Sequence, residues 1–494
     1  PIRTGVRRKH AAQDPKVDYQ TVEKRKTYVL GQMVRDGYLK QDEATTARQE
    51  DLRPQLVFKQ DNVTGPAPHF ISYVLRQLEK DYGAEVVAAG GVQVTTSLDL
   101  DVQNAANNAV HAGEPKLEKY GVNNAALLVE EPKTGRILAM VGSADFNNDK
   151  IAGQVNIAGP ETKRQPGSSF KPYVYLTGVA NKKFNALAVF HDTSDQARSL
   201  NPGGAAVHDF DSRYEGTMRM RTALVQSRNV PAEEAMQRAG PTDVVNMART
   251  MGIGTEIKPF LSSAIGASEV TMLDHAEAYG VLATQGTKHN PVSILKVVDG
   301  SGKDITSQPG GGQSVVDAGA AFIVNDILKN YNDEWNLGFD RTRTWAAKSG
   351  TTNIQNPNGS ISTGDGWLMT YNPGVVIASW AGHTSNDPTA GGATKNFFGV
   401  DEGPAIVSPF MKSMKDRWQD KFVKPGNVTL GNCGGSGGIS VPDKYAQAGG
   451  EYLLAGDSAG VCPTPSAAPS PSPTVSPGPT PSTIPVPSLL PSII

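Results

Sequence analysis

A serine and a lysine stand three residues apart in RQPGSSFKPY, at residues 164–173. Serine is a poor nucleophile at neutral pH and needs a base to activate it. Residues at i and i+3 lie on one face of a helix, so Lys171 could lie beside Ser168. Pro172 is tolerated only in the first turn of a helix, which predicts a helix that begins near Ser168. The hydroxyl would then sit where free backbone N–H groups favour developing negative charge.

Two further motifs follow this pair along the chain. QSRNV at 226–230 supplies Ser-x-Asn, with Ser227 and Asn229, and AAKSGTTN at 346–353 contains Lys348, Ser349 and Gly350. Ser-x-x-Lys alone is a weak pattern that many chains contain by chance. The three motifs together, in this order, are typical of penicillin-binding proteins and class A β-lactamases.

The elements that must position these motifs point to an α+β fold. NNAALLVEEPKTGRILAMVGS (123–143) and TYNPGVVIASWAG (370–382) predict two β-hairpins, with turns at 133–135 and 372–374. Amphipathic spacing predicts helices at 20–50, 67–80, 217–238, 242–250, 270–284 and 315–330, and a strand within 91–103. Strands at both ends with helices between them predict a mostly antiparallel central sheet flanked by helices.

Composition excludes several classes of function. The 494 residues carry a net charge of −2, which argues against a dedicated nucleic-acid binder. Neither a metal nor a cofactor is expected, because the two cysteines form no C-x-x-C and the scattered histidines form no H-E-x-x-H. No apolar stretch approaches the ~20 residues that cross a bilayer, and no signal peptide is visible.

Five stretches resemble the transpeptidase domain of class A, bifunctional penicillin-binding proteins. They are LVEEPKTGRILAMVGS, RQPGSSFKP, SRNVPA, EVTMLDHAEAYGVLATQG and KSGTTN…DGWLMTYNP, within roughly 91–415. The stretch around 20–80 resembles the end of the glycosyltransferase domain of these proteins, and the Pro-rich tail is similar to those of actinobacterial members. Two departures are Ser349, where the family more often has Thr, and the lack of E-D-x-x-F near the start. We therefore expect the glycosyltransferase site to be absent.

The resemblance implies peptidoglycan D,D-transpeptidation through an acyl-serine intermediate that β-lactams can trap. It implies that Ser168 is the nucleophile and that Lys171 is the base. It also implies that Ser227 donates a proton to the leaving group and that Asn229 contacts both Lys171 and the substrate. The implied carboxylate-binding and oxyanion residues are Lys348, Ser349, Gly350, Thr351 and Thr352. Implied partners are stem peptides, β-lactams and cell-wall synthesis or hydrolase proteins. We also expect a fragment of a longer chain that works outside the cytoplasm and is anchored in the membrane.

Five regions are predicted along the chain. They are a glycosyltransferase remnant with linker (1–65), an interdomain region (66–124), the transpeptidase domain (125–425), a small Gly-rich module (426–462) and a disordered tail (463–494). Eleven of the last 32 residues are Pro, a composition that cannot pack a core. Since such proteins work where disulfides persist, we expect Cys433 and Cys462 to be bridged, with two free thiols as the alternative.

Several rival functions share part of the pattern. A class A β-lactamase needs a deacylating glutamate in E-x-x-L-N, and the nearest candidate, Glu269 in EVTMLD, lacks that context. A Ser-His-Asp hydrolase would offer G-x-S-x-G, which GGSGG (434–438) matches only as a linker-like Gly run. A D,D-carboxypeptidase, or a β-lactam sensor or hydrolase of the same fold, stays open.

Overall fold

The computed structural model describes residues 19–50, 65–84, 87, 91–202, 204, 206–307, 310–385, 392–431 and 450–457, with backbone alone for 19–25. The chain divides into two compact units, Pro1–Thr64 and Gly65–Ile494. The predicted Pro-rich tail, the cysteine pair and GGSGG lie outside the described residues.

Within its described residues, 19–50, the first unit holds two helices, α1 (Tyr19–Arg35) and α2 (Gln41–Gln49). The predicted continuous helix over 20–50 is therefore interrupted. Gly37 has a φ of 77°, a left-handed conformation that Gly adopts at little cost, and the backbone N–H of Tyr38 turns back to the carbonyl of Met33 at 2.8 Å.

A five-stranded antiparallel sheet forms the centre of the second unit, in the order β3-β2-β11-β10-β9. Its strands are β2 (Asn124–Glu131), β3 (Arg136–Val141), β9 (Ala346–Gln355), β10 (Ile361–Asn372) and β11 (Val375–Gly382). Every residue of β11 is buried. Successive side chains of a strand point to opposite faces, so both faces of the sheet are covered.

In the described part of the chain, short strands form four two-stranded ribbons outside this sheet. They are β1 (Gln93–Thr96) with β7 (Ile294–Val298), β4 (Val189–Asp192) with β5 (Gly216–Arg219), β6 (Thr287–Lys288) with β8 (Gln313–Ser314), and β12 (Val428–Gly431) with β13 (Glu451–Leu454).

The helices of the second unit cover the sheet and build the site. They are α3 (Pro68–Tyr82), α4 (Leu100–Gly113), α5 (Lys171–Ala180), α6 (Ser194–Leu200), α7 (Met220–Val225), α8 (Asn229–Ala239), α9 (Pro241–Met251), α10 (Met272–Ala283), α11 (Ala318–Leu328), α12 (Tyr331–Trp335) and α13 (Ser408–Ser413). Helix α10 packs against β2, β10 and β11, and α4 packs against β2 and β3. Helix α5 is buried from Lys171 to Val179 and is the central helix of the core.

The α+β fold and its two hairpins agree with the prediction. Helices α3, α9, α10 and α11 also fall on their predicted patterns. The pattern over 217–238 becomes two helices, α7 and α8, because residues 226–228 leave helical geometry and Ser227 has a φ of 60°. This break carries the Ser-x-Asn motif.

The ribbon of β12 and β13 belongs to the core of the second unit. Leu453 and Leu454 are part of the main hydrophobic cluster, and Glu451 forms a buried ion pair with Arg221 of α7 at 2.7 Å. Both described ends of the predicted 426–462 module are thus packed on the transpeptidase-like region, and residues 432–449 between them lie outside the described residues.

Candidate active site

The Ser-x-x-Lys motif forms the turn that leads into α5. Gly167–Phe170 is a 3₁₀ turn, and α5 begins at Lys171 with Pro172 in its first turn. The predicted helix start near Ser168 is therefore a tighter turn, in which the N–H of Lys171 donates to the carbonyl of Ser168. Ser168 is partly exposed, and its hydroxyl has no hydrogen-bond partner within the described residues. That hydroxyl is available to a ligand.

A buried hydrogen-bond chain holds this turn from behind. The hydroxyl of Ser169 donates to the carbonyl of Pro166 at 2.7 Å and lies 2.8 Å from Nε2 of His275. Burial lowers the pKa of His275 to about 3, so the ring is neutral. Because the hydroxyl of Ser169 already donates to Pro166, Nε2 of His275 carries the ring proton and donates to Ser169. Its Nδ1 accepts from the hydroxyl of Tyr173 at 2.9 Å. No sequence motif points to this histidine.

Glycines bring the nucleophile turn against strand β9. A Cβ on Gly167, whose φ is 57°, would lie 2.5 Å from the carbonyl oxygen of Thr351 and 2.7 Å from its nitrogen. A Cβ on Gly350 would lie 1.9 Å from the carbonyl oxygen of Pro166. No other residue type allows the two backbones to approach this closely. The turn that carries Ser168 and the strand segment at Thr351 are therefore in direct backbone contact.

The lysines of the first and third motifs converge on the second motif. Nζ of Lys171 donates to Oδ1 of Asn229 at 2.7 Å and to the carbonyl of Ser227. Nζ of Lys348 donates to the hydroxyl of Ser227 at 2.7 Å, and Lys171 lies 3.5 Å from the same hydroxyl. The three motifs predicted from sequence thus meet around Ser227.

The two lysines have lowered pKa values. Burial is the main reason that the pKa of Lys171 is lowered to about 7. The charge of Asp209 opposes this effect, Arg228 adds to it, and Glu233 and Asp192 oppose it. Burial also lowers the pKa of Lys348 well below its usual range, and repulsion from the charge of Lys171 is the second cause. A neutral Lys171 at physiological pH can accept a proton. Arg228 is the strongest cationic influence on the pKa of Lys171.

Strand β9 presents the Lys-Ser-Gly segment at the edge of the sheet. The hydroxyl of Ser349 lies 2.6 Å from that of Tyr331, which also accepts from Nζ of Lys348 at 3.1 Å. Tyr331, on α12, was missed because it lies in no recognisable motif.

The two threonines after Gly350 differ in position. The hydroxyl of Thr351 accepts from the N–H of Gly399 at 3.0 Å, and Thr351 alone among residues 349–352 is partly exposed. Thr352 is buried and accepts from the N–H of Asp365 at 2.8 Å, beside an irregularity in the pairing of β9 with β10. Its hydroxyl therefore accepts from the backbone of the neighbouring strand, and its predicted contact with substrate stays a prediction.

Charged residues around the Ser-x-Asn loop were also missed. Arg228, the central residue of the motif, is buried and donates from Nε to Asp192 at 2.8 Å. Asp209 accepts from the N–H of Asn229, and burial raises the pKa of Glu233 to about 7. The one signal of these charged residues in the motif itself is Arg228, which occupies the unspecified position x of Ser-x-Asn.

Other candidate groups do not join the site. Glu269 is exposed and lies before α10, whose N-cap is Thr271. Across the described ranges, no group of three or more His, Cys, Asp and Glu side chains could hold a metal ion. In the same part of the chain, no helix is long and apolar enough to cross a membrane.

Comparisons with known proteins agree with this arrangement. Residues 125–398 match the family described as "Penicillin binding protein transpeptidase domain". Penicillin-binding proteins 2D and 1A/1B of Bacillus subtilis (strain 168) are 24% and 26% identical to the chain, each over 86% of it. The chain spans 60% and 47% of the lengths of these two relatives.

A solved structure shares the fold. The PonA1 protein from Mycobacterium tuberculosis, in complex with penicillin V, superposes with a TM-score of 0.62 at 22% identity. The match covers 73% of this chain and 96% of that one.

Proposed function

Because the chain belongs to the penicillin-binding protein transpeptidase domain family, we propose that it is a serine D,D-transpeptidase that cross-links peptidoglycan stem peptides and is acylated by β-lactams. The observation that carries the proposal is the convergence of Lys171 and Lys348 on Ser227, together with a Ser168 hydroxyl that has no hydrogen-bond partner in the described part of the chain. The penicillin V complex of a protein with this fold supports the β-lactam part.

In the acylation step, Oγ of Ser168 attacks the carbonyl carbon of the D-Ala–D-Ala amide while neutral Lys171 takes its proton. Burial makes this possible, since it lowers the pKa of Lys171 to about 7. The proton then passes through the hydroxyl of Ser227 to the leaving nitrogen, and D-Ala departs as a neutral amine. Ser227 suits this relay because it lies 3.5 Å from Lys171 and 2.7 Å from Lys348.

The backbone N–H groups of Ser168 and Thr351 are the proposed oxyanion donors. The contact of Gly167 with the backbone of Thr351 supports this pairing, because it sets the two segments side by side. Each such donor contributes about 3 kcal/mol to lowering the barrier. Lys348, Ser349 and Thr351 are the proposed contacts of the substrate's terminal carboxylate.

The second half of the reaction decides between closely related activities. An amine from a second stem peptide attacks the acyl-enzyme, releases Ser168 and forms the cross-link, whereas attack by water would make the protein a carboxypeptidase. We propose the outer side of the cytoplasmic membrane as the place of action, with an anchor supplied by a longer chain. Residues 125–425 are the proposed catalytic region.

Intact mass spectrometry after mixing with benzylpenicillin tests the proposal. We expect one adduct with the full mass of the drug, mapped to Ser168, that persists for many minutes and is absent from Ser168→Ala. A D-Ala–D-Ala peptide with and without an acceptor amine then separates cross-linking from hydrolysis. An unlabelled wild-type protein, or a label on another residue, would contradict the assignment.

A further inference from the structure

Two buried carboxyl groups lie side by side behind the Ser-x-Asn loop. Asp192 ends β4, and Asp209 lies in the loop that leads to β5. Oδ2 of Asp192 accepts from Nε of Arg228 at 2.8 Å and from the N–H of Glu215 at 3.0 Å. Oδ1 of Asp209 accepts from the N–H of Asn229. One oxygen of each carboxyl group is therefore fixed by the loop that carries the second motif.

The remaining two oxygens have no donor. Oδ1 of Asp192 and Oδ2 of Asp209 are buried and accept no hydrogen bond within the described residues, although Oδ2 of Asp209 lies 3.4 Å from Nη2 of Arg228. The two carboxyl groups interact with each other, and this interaction contributes to the raised pKa of Asp209. Two ionised carboxylates in this position would repel each other and leave both oxygens unsatisfied. A single proton placed between them satisfies both.

We propose that Asp192 and Asp209 share one proton, and that Asp209 is a positioning residue which holds Asn229 and sets the pH range in which Lys171 can act as the base. The second part of this inference rests on the proposed transpeptidase function. With one shared proton the pair carries a single negative charge, which the guanidinium of Arg228 balances. Loss of that proton leaves an extra negative charge near Lys171.

The charged and titratable groups around the pair lie on three elements. They are Lys171 and Tyr175 on α5, Arg228, Glu233 and Glu234 at the start of or on α8, and Asp211 and Glu215 in the loop before β5. Burial raises the pKa of Asp209 to about 7, and the hydrogen bond with Asp192 is the second-largest cause. The charge of Asp209 raises the pKa of Lys171 and so opposes the effect of burial on that lysine. The two titrations are coupled within the same pH range.

An asparagine at position 209 separates charge from geometry. In Asp209→Asn the amide oxygen can still accept from the N–H of Asn229, and the amide nitrogen can donate to Oδ1 of Asp192. The variant therefore imitates the protonated member of the pair and removes its charge permanently. Because Asp209 and Lys171 both titrate near pH 7, part of the Asp209 charge is present in the wild type while Lys171 loses its proton. Without that charge Lys171 loses its proton more readily, so acylation should persist to lower pH. We expect the acid limb of the rate profile to move down by roughly one pH unit, as for removal of one nearby charge.

The experiment measures the acylation rate with a fluorescent penicillin between about pH 5 and pH 10. Asp211→Asn is the matched control, because Asp211 also contacts Arg228, at 3.1 Å, but is partly exposed and lies outside the pair. We expect a clearly smaller shift for Asp211→Asn. Coincident acid limbs for wild type and Asp209→Asn, or equal shifts in the two variants, would overturn the role of Asp209.

Thermal unfolding tests the shared proton independently of activity. The folded pair binds its proton more tightly than unfolded aspartates, whose pKa is about 4. The contribution of the shared proton to the free energy of unfolding is fully present below the pKa of unfolded aspartate, and it is lost as the pH rises through about 7. The Tm of Asp209→Asn relative to wild type should therefore rise over this range. A difference in Tm between the two proteins that stays flat or falls with pH would refute the shared proton. Failure of benzylpenicillin to label the wild-type protein would refute only the transpeptidase assignment. Asp192→Asn, whose amide can donate to Oδ2 of Asp209, gives the same test if Asp209→Asn does not fold.

Discussion

The chemistry of this site depends on taking the charge off a lysine. Lys171 is fully buried, yet its three hydrogen bonds all go to oxygen atoms of residues 227–229 and none to a carboxylate. An amine held in this way can exist without a proton at neutral pH, which a surface lysine cannot. The residue is therefore suited to accept a proton from Ser168.

Lys171→Ala should abolish acylation by benzylpenicillin while leaving the protein folded. Removal of one member of a coupled catalytic unit lowers the rate by roughly 10⁴-fold or more. Lys183→Ala is the control, since Lys183 is an exposed lysine just beyond the same helix. Stopped-flow measurement of the acylation rate compares the two variants with wild type. Circular dichroism checks that each variant is folded. Wild-type rates in Lys171→Ala would assign the base to another group.

At the scale of elements, the site is a junction between a turn, a helix break and a strand edge. The sequence predicted the two hairpins because alternation and the turn residues at 133–135 and 372–374 are local signals. It did not predict the break at 226–228, because the left-handed conformation of Ser227 is imposed by distant partners, Lys171 and Lys348. Tyr331 and Asp209 were missed for the same reason, since their roles exist only in three dimensions.

The close approach of the turn to β9 can be tested with one methyl group. Gly167→Ala should slow acylation strongly, because its Cβ would lie 2.5 Å from the carbonyl oxygen of Thr351 and push the two segments apart. Gly302→Ala is matched for backbone strain, with a φ of 86°, but its Cβ would meet no atom within 4 Å. Each variant carries the cost of a left-handed Ala, about 1 kcal/mol or more. Equal acylation rates in the two variants would argue against the backbone contact as a catalytic requirement.

At the scale of the whole molecule, the last described strand secures the site from a distance. Arg221 of α7 is buried and donates to both carboxylate oxygens of Glu451 on β13, each at 2.7 Å, and to Asp326 of α11 at 2.6 Å. Helix α7 leads directly into the loop of Ser227. The C-terminal ribbon thus helps to fix the helix from which the second motif extends.

Glu451→Ala should destabilise the protein markedly, because it leaves the charge of Arg221 incompletely compensated in the core. Breaking a buried ion pair by removing one partner costs about 3–5 kcal/mol. Glu256→Ala is the control, since Glu256 forms an exposed pair with Lys258, and such pairs contribute little. The free energy of unfolding from urea titration compares the two variants. Equal stability of both would show that the ribbon does not support α7.

The order of strands in the central sheet also has a consequence for how the protein is made. Strand β2 is bonded on one side to β3 and on the other to β11, which appears much later in the sequence. A nascent chain therefore exposes the apolar edge of β2 until residues 375–382 emerge, and such an edge invites association with other chains. All of Ser168, Lys171, Ser227, Asn229 and Lys348 precede that strand. A ribosome stalled before residue 375 would have made every proposed catalytic side chain and still not have made a site.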